Sequence, residues 1–236
     1  MLLLHEVHRV RGAAEDDFEA CFRDGWLPEL AKGDDARLLY FMHLAHGSGR
    51  AYTVITVTAV RDGAAYERLV RRVLDGDLRA WARDVDQLRH GVIGKIVVPV
   101  PWSAPPVPDL DAVPTQPQAR DLVLFMEDTA WPHEGMLDDY LEAARDQYAP
   151  SLEEGRHGGR SMLELVSVWQ TAFSAGRRAE VVLWQRVTQP ERLLGLLYTE
   201  IPAEHRAPGT WMHDALRVRD DWESRLLRTT AWSPLA

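Results

Sequence analysis

Apolar residues fall into two alternating rhythms along the chain. Leu2–Val10 reads as a strand, and from residue 14 to 30 the apolar positions Phe18, Cys21, Phe22, Trp26 and Leu30 return with helical spacing. Glu15, Asp16 and Asp17 open that helix, where carboxylates suit the positive end of the dipole. Two β-rich runs follow, 38–45 and 52–60, and the turn residues His46-Gly47-Ser48-Gly49 between them predict a hairpin. A helical stretch over 64–88, broken near Gly76, leads to a strand over 94–102. Pro99 and Pro101 lack an N–H to donate, which predicts an edge position for that strand.

The same order recurs: strand 122–129, helix 134–152, strands 162–169 and 180–187, helical stretches 191–197 and 210–222, and strand 225–232. Residue identity recurs with it. At an offset of 130 (81 to 211, 102 to 232), Trp81 meets Trp211, Arg89 meets Arg219, Lys95 meets Arg225, and Trp102-Ser103 meets Trp232-Ser233. At an offset of 122 (16 to 138), Asp16-Asp17-Phe18 meets Asp138-Asp139-Tyr140, Arg23-Asp24 meets Arg145-Asp146, and Trp26 meets Tyr148. The chain is therefore one unit copied in tandem: a first half over 1–103, a Pro/Ala-rich linker over 104–120 expected to be extended and stiff, and a second half over 121–236.

Each copy reads β-α-β-β-α-β, the ferredoxin-like α+β unit. Its antiparallel sheet carries helices on one face only and must cover the other. Two such sheets in one chain can close on each other as an internal barrel with the helices outside.

This arrangement resembles the dimeric α+β barrel superfamily, which includes NIPSNAP-type proteins, antibiotic-biosynthesis monooxygenases, muconolactone-isomerase-like enzymes and the duplicated chlorite-dismutase-like haem proteins. Two segments carry the local likeness to NIPSNAP-type domains: His5-Glu6-Val7-His8-Arg9-Val10 ahead of Gly12, and Val181-Val182-Leu183-Trp184-Gln185-Arg186. Glu6 matches the patterned acidic position of the first, and His8 stands where those domains commonly have Arg. The resemblance implies a small-molecule pocket inside the barrel.

Composition narrows the classes. A net charge of −9 argues against nucleic acid or an anionic membrane as partner. The apolar runs are too short to span a bilayer, and the first residues lack a signal-peptide layout, so a cytoplasmic protein is expected, with a homo-oligomer left open. Arg far outnumbers Lys, as in a GC-rich bacterial genome. Cys21 is the single cysteine, which excludes an internal disulfide and reads as a buried thiol. Phosphate loops, nucleophile elbows and paired-Cys sites are absent from the sequence.

Candidate chemistry comes from polar residues in apolar strands. On β-spacing, His5 and His8 diverge and cannot share a metal ion, whereas Glu6 and His8 share a face, where the carboxylate could raise the imidazole's pKa. They read either as an acid–base pair or as a satisfied polar pair at the rim. His43 reads either as pocket-lining or as a core histidine, and Glu127 and Asp128 repeat the polar intrusion in the second copy. Glu164 is a similar intruder. Nine Trp against six Tyr and five Phe make Trp102, Trp169, Trp184, Trp232 and Tyr40 candidate pocket walls or plain core.

The leading expectation is an enzyme that binds an apolar, cyclic small molecule without a nucleotide cofactor. Glu6, His8, His43 and Glu127 would supply acid–base chemistry for an isomerisation, cyclisation, dehydration or cofactor-free oxygenation. A haem protein with His205 or His213 as axial ligand is the alternative, and a non-catalytic NIPSNAP-like ligand binder the third.

Overall fold

The structure is a computed structural model, described here for residues 1–107, 109–158, 161–173, 178–193, 195 and 200–235. Eight strands form one antiparallel ladder: β1 (Leu2–Val10), β2 (Ala36–Leu44), β3 (Thr53–Val60), β4 (Arg89–Pro99), β5 (Leu124–Trp131), β6 (Leu163–Phe173), β7 (Val181–Val187) and β8 (Asp221–Thr229). Their order is β1-β3-β2-β8-β5-β7-β6-β4, and β4 pairs back onto β1, so the ladder closes into a barrel. The duplicated ferredoxin-like architecture read from the sequence is what the chain adopts. One expectation fails: β4 lies between β1 and β6 and is not an edge. A closed ring has no edge, and the prolines are tolerated because Pro99 is the last residue of the strand and Pro101 lies beyond it.

Helices cover the outside. In the first half α1 (Glu15–Ala20) passes through a π-helical turn (Cys21–Trp26) into α2 (Leu27–Leu30), and α3 (Gly63–Leu74) and α4 (Arg79–Leu88) flank Gly76. The second half repeats the π turn: α5 (Leu137–Ala143), π turn (Ala144–Tyr148) and α6 (Ala149–His157), with a short α7 (Trp211–Asp214) later. Of the expected helix over 191–197, residues 194, 196 and 197 lie outside the described residues.

Strand alternation sorts side chains between the barrel interior and the helix-covered faces. On β1, Leu3 and Val7 join the interior cluster, while Leu4 and Val10 join the cluster under the first-half helices. Bulges at Leu38/Tyr40 and Leu165/Ser167 reset this alternation, so that both Leu39 and Tyr40 point inward. The interior is filled by Tyr40, Met42, Phe125, Trp169, Trp184 and aliphatic side chains, with Trp169 stacked on Trp184 at 4.9 Å. The linker belongs to this core. Val107, Leu110 and Val113 are buried in it, so the segment read as a spacer packs into the interior instead.

One ion pair lies within this apolar interior. His5 donates from Nε2 to Glu127 Oε2 at 2.8 Å, with both side chains 1% exposed. These residues occupy the same position of the two copies and meet across the barrel. Arg225 adds a contact to Glu127 Oε1 at 3.3 Å, and its repeat partner Lys95 binds Glu180 at 2.7 Å. Burial alone would raise the Glu127 carboxyl, but His5, Arg225 and Lys95 outweigh it and hold the group down at about 2.

The repeated Trp-Ser ends are exchanged between halves. Trp102 packs in the second half's helix-side core and Trp232 in the first half's. Ser103 Oγ accepts from Val168 N at 2.8 Å, and Ser233 Oγ accepts from Phe41 N at 3.3 Å. Trp232 Nε1 also donates to Glu19 at 2.6 Å.

Two outcomes test this account. Trp232→Ala should lower the stability in urea unfolding by about 3–5 kcal/mol, and the half-buried Trp102→Ala by less. Glu127→Gln should cost about 3–5 kcal/mol at neutral pH, because it leaves Arg225 and His5 without their buried anion. Since the folded carboxyl is depressed, its stabilisation is complete above the ordinary value near 4.5 and fades as pH falls to about 2. Glu127→Gln should remove that part of the acid limb in a pH series of urea midpoints.

Candidate active site

The expected interior pocket is occupied by side chains. Tyr40, Trp169 and Trp184 are buried there against one another, Tyr40 lying 5.1 Å from Trp184 and 5.5 Å from Phe125. The space for a ligand lies instead on the outer face of the first half, between β1/β4 and the helices. It is a cleft of about 480 Å³, within the range of small-molecule sites. Leu4, Glu6, His8, Gly94 and Ile96 form its floor, the π turn supplies Phe22 and Trp26, α3 supplies Tyr66 to Leu74, and α4 supplies Trp81 and Val85.

Local sequence builds these walls. Phe22 and Trp26, four residues apart in the π turn, share a helix face and both pack toward the sheet, with their rings 6.5 Å apart. Trp81 stacks on Trp26 at 4.5 Å and donates from its Nε1 to Cys21 O at 2.9 Å. Trp26 Nε1 donates to Thr58 Oγ1 at 3.1 Å. Both indoles are thus fixed by polar anchors, leaving apolar faces toward the cleft. Gly94 stands opposite Glu6 in the β1–β4 ladder and carries no side chain to cover the carboxyl.

The polar floor is a connected group. Arg89 Nη1 lies 2.8 Å from His8 Nδ1, and His8 Nε2 lies 2.9 Å from Thr56 Oγ1. Thr56 stands directly opposite Glu6 in the β1–β3 ladder, and its hydroxyl works to lower the Glu6 carboxyl. Arg89 is also held by Asp86, through Nε at 3.0 Å. His8 is fully buried between the rings of Phe18 and Phe22. Burial first, then the Arg89 charge and His5, lower its pKa to about 3. The expectation that Glu6 raises the imidazole is therefore corrected: Arg89 takes Nδ1, and the ring is neutral across the physiological range. The Glu6 carboxyl moves the other way. Burial raises it, opposed by Arg89 and Thr56 and assisted by Asp86.

Of the residues singled out from the sequence, only Glu6 and His8 come together in the cleft. His43 faces α1, its Nδ1 3.1 Å from Glu15 and its Nε2 3.1 Å from Glu19, so it bridges two carboxylates. Glu127 belongs to the barrel centre. Glu164 is half-buried and paired with Arg156 at 3.0 Å. Trp102 and Trp232 are the exchanged anchors. Asp128, the repeat partner of Glu6, faces the second-half helices, bound by Gln185 at 2.9 Å and by Ser224. Tyr148 donates in turn to Gln185. Arg89, Thr56, Trp26 and Trp81 were missed as site residues. The match of Arg89 to Arg219 in the repeat was the available signal.

Haem would need an axial ligand in the second copy. His213 binds Asp214 at 2.8 Å with two-fifths of its side chain exposed. The trough beside it is lined by Asp139, Glu142, Asp146 and Asp214. Four carboxylates do not suit an apolar macrocycle with two propionates, so this site does not fit haem. The side chain of His205 lies outside the described residues. Among the described residues no cluster of three or more His, Cys, Asp or Glu could hold a metal ion, and no helix is long and apolar enough to cross a membrane.

No protein-family model and no curated protein matches the chain. Solved structures do match it over nearly its full length. One is a candidate monooxygenase from Lactobacillus acidophilus, with a TM-score of 0.57 at 9% identity, covering 100% of this chain and 97% of that one. An anthrone oxidase-like protein matches with a TM-score of 0.55 at 9% identity, over 97% of this chain and 91% of that one. A chlorite dismutase variant from Candidatus Nitrospira defluvii gives 0.52 at 8% identity, over 98% and 92%. At such identities the likeness concerns the fold, and the fold it supports is the duplicated, dimeric α+β barrel type.

Proposed function

We propose that the outer cleft of the first half is an active site in which Glu6 moves a proton to and from carbon of an apolar, cyclic small molecule. The observation that carries this reading is a carboxyl placed on the floor of an aromatic-walled cleft, without a direct ion-pair partner among the described residues and raised in pKa by burial. A carboxylate partly stripped of water is a stronger base than one in solution. Isomerisation, cyclisation, dehydration and cofactor-free oxygenation can all begin with this proton transfer, so the cleft supports the shared step. The resemblance to structures named as a monooxygenase and as an anthrone oxidase-like protein is in keeping with it.

The walls set the ligand's character. Trp26, Trp81 and Phe22 offer flat apolar surface, and the two cations on the lining are already engaged, Arg89 by Asp86 and His8, Lys95 by Glu180. An anionic group beside Glu6 would face a carboxylate with no free counter-charge. A neutral ring compound whose C–H is acidified by a carbonyl or phenol fits best.

Two experiments check this. The protein incubated in D2O with a panel of enolisable cyclic ketones and phenols should wash deuterium into one of them, read by mass spectrometry. Glu6→Gln should slow that exchange about 10²–10⁴-fold. Because the folded carboxyl is raised, it weakens the fold as pH climbs past its ordinary value, so Glu6→Gln should leave urea stability at pH 7 unchanged or higher. Equal exchange rates in the two proteins would refute the assignment.

Gly94 tests the geometry separately. A Cβ there would sit 3.7 Å from Glu6 Cγ, an ordinary contact, so Gly94→Ala should bind ligand normally. Gly94→Leu should project over Glu6 and weaken binding at least tenfold, followed by quenching of tryptophan fluorescence.

A further inference from the structure

The polar floor of the cleft has a direction, and one residue sets it. Arg89 is a donor only, so the lone pair of His8 Nδ1 must face it across the 2.8 Å contact. A neutral imidazole accepting at Nδ1 carries its proton on Nε2, and that proton points at Thr56 Oγ1, 2.9 Å away. Having accepted there, the Thr56 hydroxyl keeps its own proton free, and Glu6 is its direct cross-strand neighbour in the β1–β3 ladder. The contacts thus run in order from Arg89 through His8 to Thr56, with Glu6 next across the ladder.

We propose that Arg89 is a positioning residue which, acting through His8 and Thr56, fixes the tautomer of His8 and so keeps one hydrogen bond pointed at Glu6. The proposal rests on the reading of Glu6 as the proton-transfer group and adds how that group is held. Without Arg89 the imidazole can take the other tautomer. Its Nε2 then becomes an acceptor, the Thr56 hydroxyl turns to it, and Glu6 faces the lone pairs of Oγ1. The result is a carboxylate with a lost donor and a rotated side chain. His8 acts as a spacer in this series and is not itself an acid or base.

The surroundings leave few other groups to do this. Around His8 the first-half helix contributes the rings of Phe18 and Phe22. Asp86 and Arg89 approach from the end of α4, Tyr66 from α3, Lys95 from β4, and His5 acts on His8 from the opposite face of β1. Lys95 is bound to Glu180. In the second copy Ala130 takes the place of His8 and Leu183 that of Thr56 by strand register, and Arg219 lies over the rings of Trp211 and Trp222. The series belongs to the first copy alone.

The test uses the full chain labelled with 15N-histidine and with 13C at the glutamate carboxyl, followed by NMR through a pH titration. In the unmodified protein His8 should show the Nε2–H tautomer. Arg89→Met should convert it to the Nδ1–H tautomer and move the Glu6 midpoint upward by about one pH unit. Thr56→Val should move Glu6 upward while His8 stays Nε2–H, and Arg89→Lys and Thr56→Ser should restore the original spectra. Loss of charge alone would shift Glu6 in Arg89→Met without changing the tautomer, and that outcome overturns the proposal. An unshifted Glu6 in Thr56→Val overturns it too, and decides the matter even where Arg89→Met does not fold. The two readings can fail separately. Intact NMR signatures with full deuterium exchange in Glu6→Gln sink the assignment of Glu6, whereas unchanged signatures with an inactive Glu6→Gln sink only the relay.

Discussion

Everything in this molecule depends on two sheets sharing one dry interior, and the hardest place to satisfy is where β1 and β5 face each other across it. There the same position of the two copies meets as His5 and Glu127. Two identical units would bring a residue against itself at that point, and two like-charged side chains in a low-dielectric core repel. Duplication within one chain removes the constraint of identity. One copy can carry the donor and the other the acceptor, with Arg225 and Lys95, themselves a repeat pair, adding positive charge around Glu127. The same freedom tied the ends together, because each Trp-Ser tail anchors in the other copy's helix layer.

Closure also decides where chemistry can sit. The barrel interior is filled by Tyr40, Trp169 and Trp184, and by Val107, Leu110 and Val113 from the linker. Charges inside it are paired among themselves. The helix-covered faces follow a different rule, because helices pack on a sheet at a distance set by their side chains and can leave a gap between them. In the first half Trp26 and Trp81 stack as one wall, and that gap is the cleft.

The repeat, the order of elements along the chain and the alternation that places Glu6 with His8 were legible in the sequence, because each rests on local periodicity or on matched residue types. The face that Glu6 and His8 occupy was not. Period two says that Leu4, Glu6, His8 and Val10 share a side of β1, but only closure of the ring says that this side meets helices. The linker misled for a related reason: proline-rich composition reports backbone stiffness, whereas burial of Val107, Leu110 and Val113 depends on a space made by strands far away in sequence. Arg89 and Thr56 were hidden because they come from separate elements that meet only through register. Their partner contacts span 81 and 48 residues.

The two buried acidic positions on neighbouring residues of the second copy and their counterparts in the first show how environment separates like groups. Glu127 is drawn down to about 2 by cations that answer it, and such a carboxylate is too weak a base to do more than hold the barrel. Glu6 lies one residue along from His5 on the opposite side of the strand, and its carboxyl is raised because burial outweighs Arg89 and Thr56. A single step along β1 thus crosses from a side chain engaged in closure to a carboxyl with no ion-pair partner among the described residues. A pairing as close as that of Glu127 would lower the carboxyl and remove the basicity that the proposed proton transfer uses.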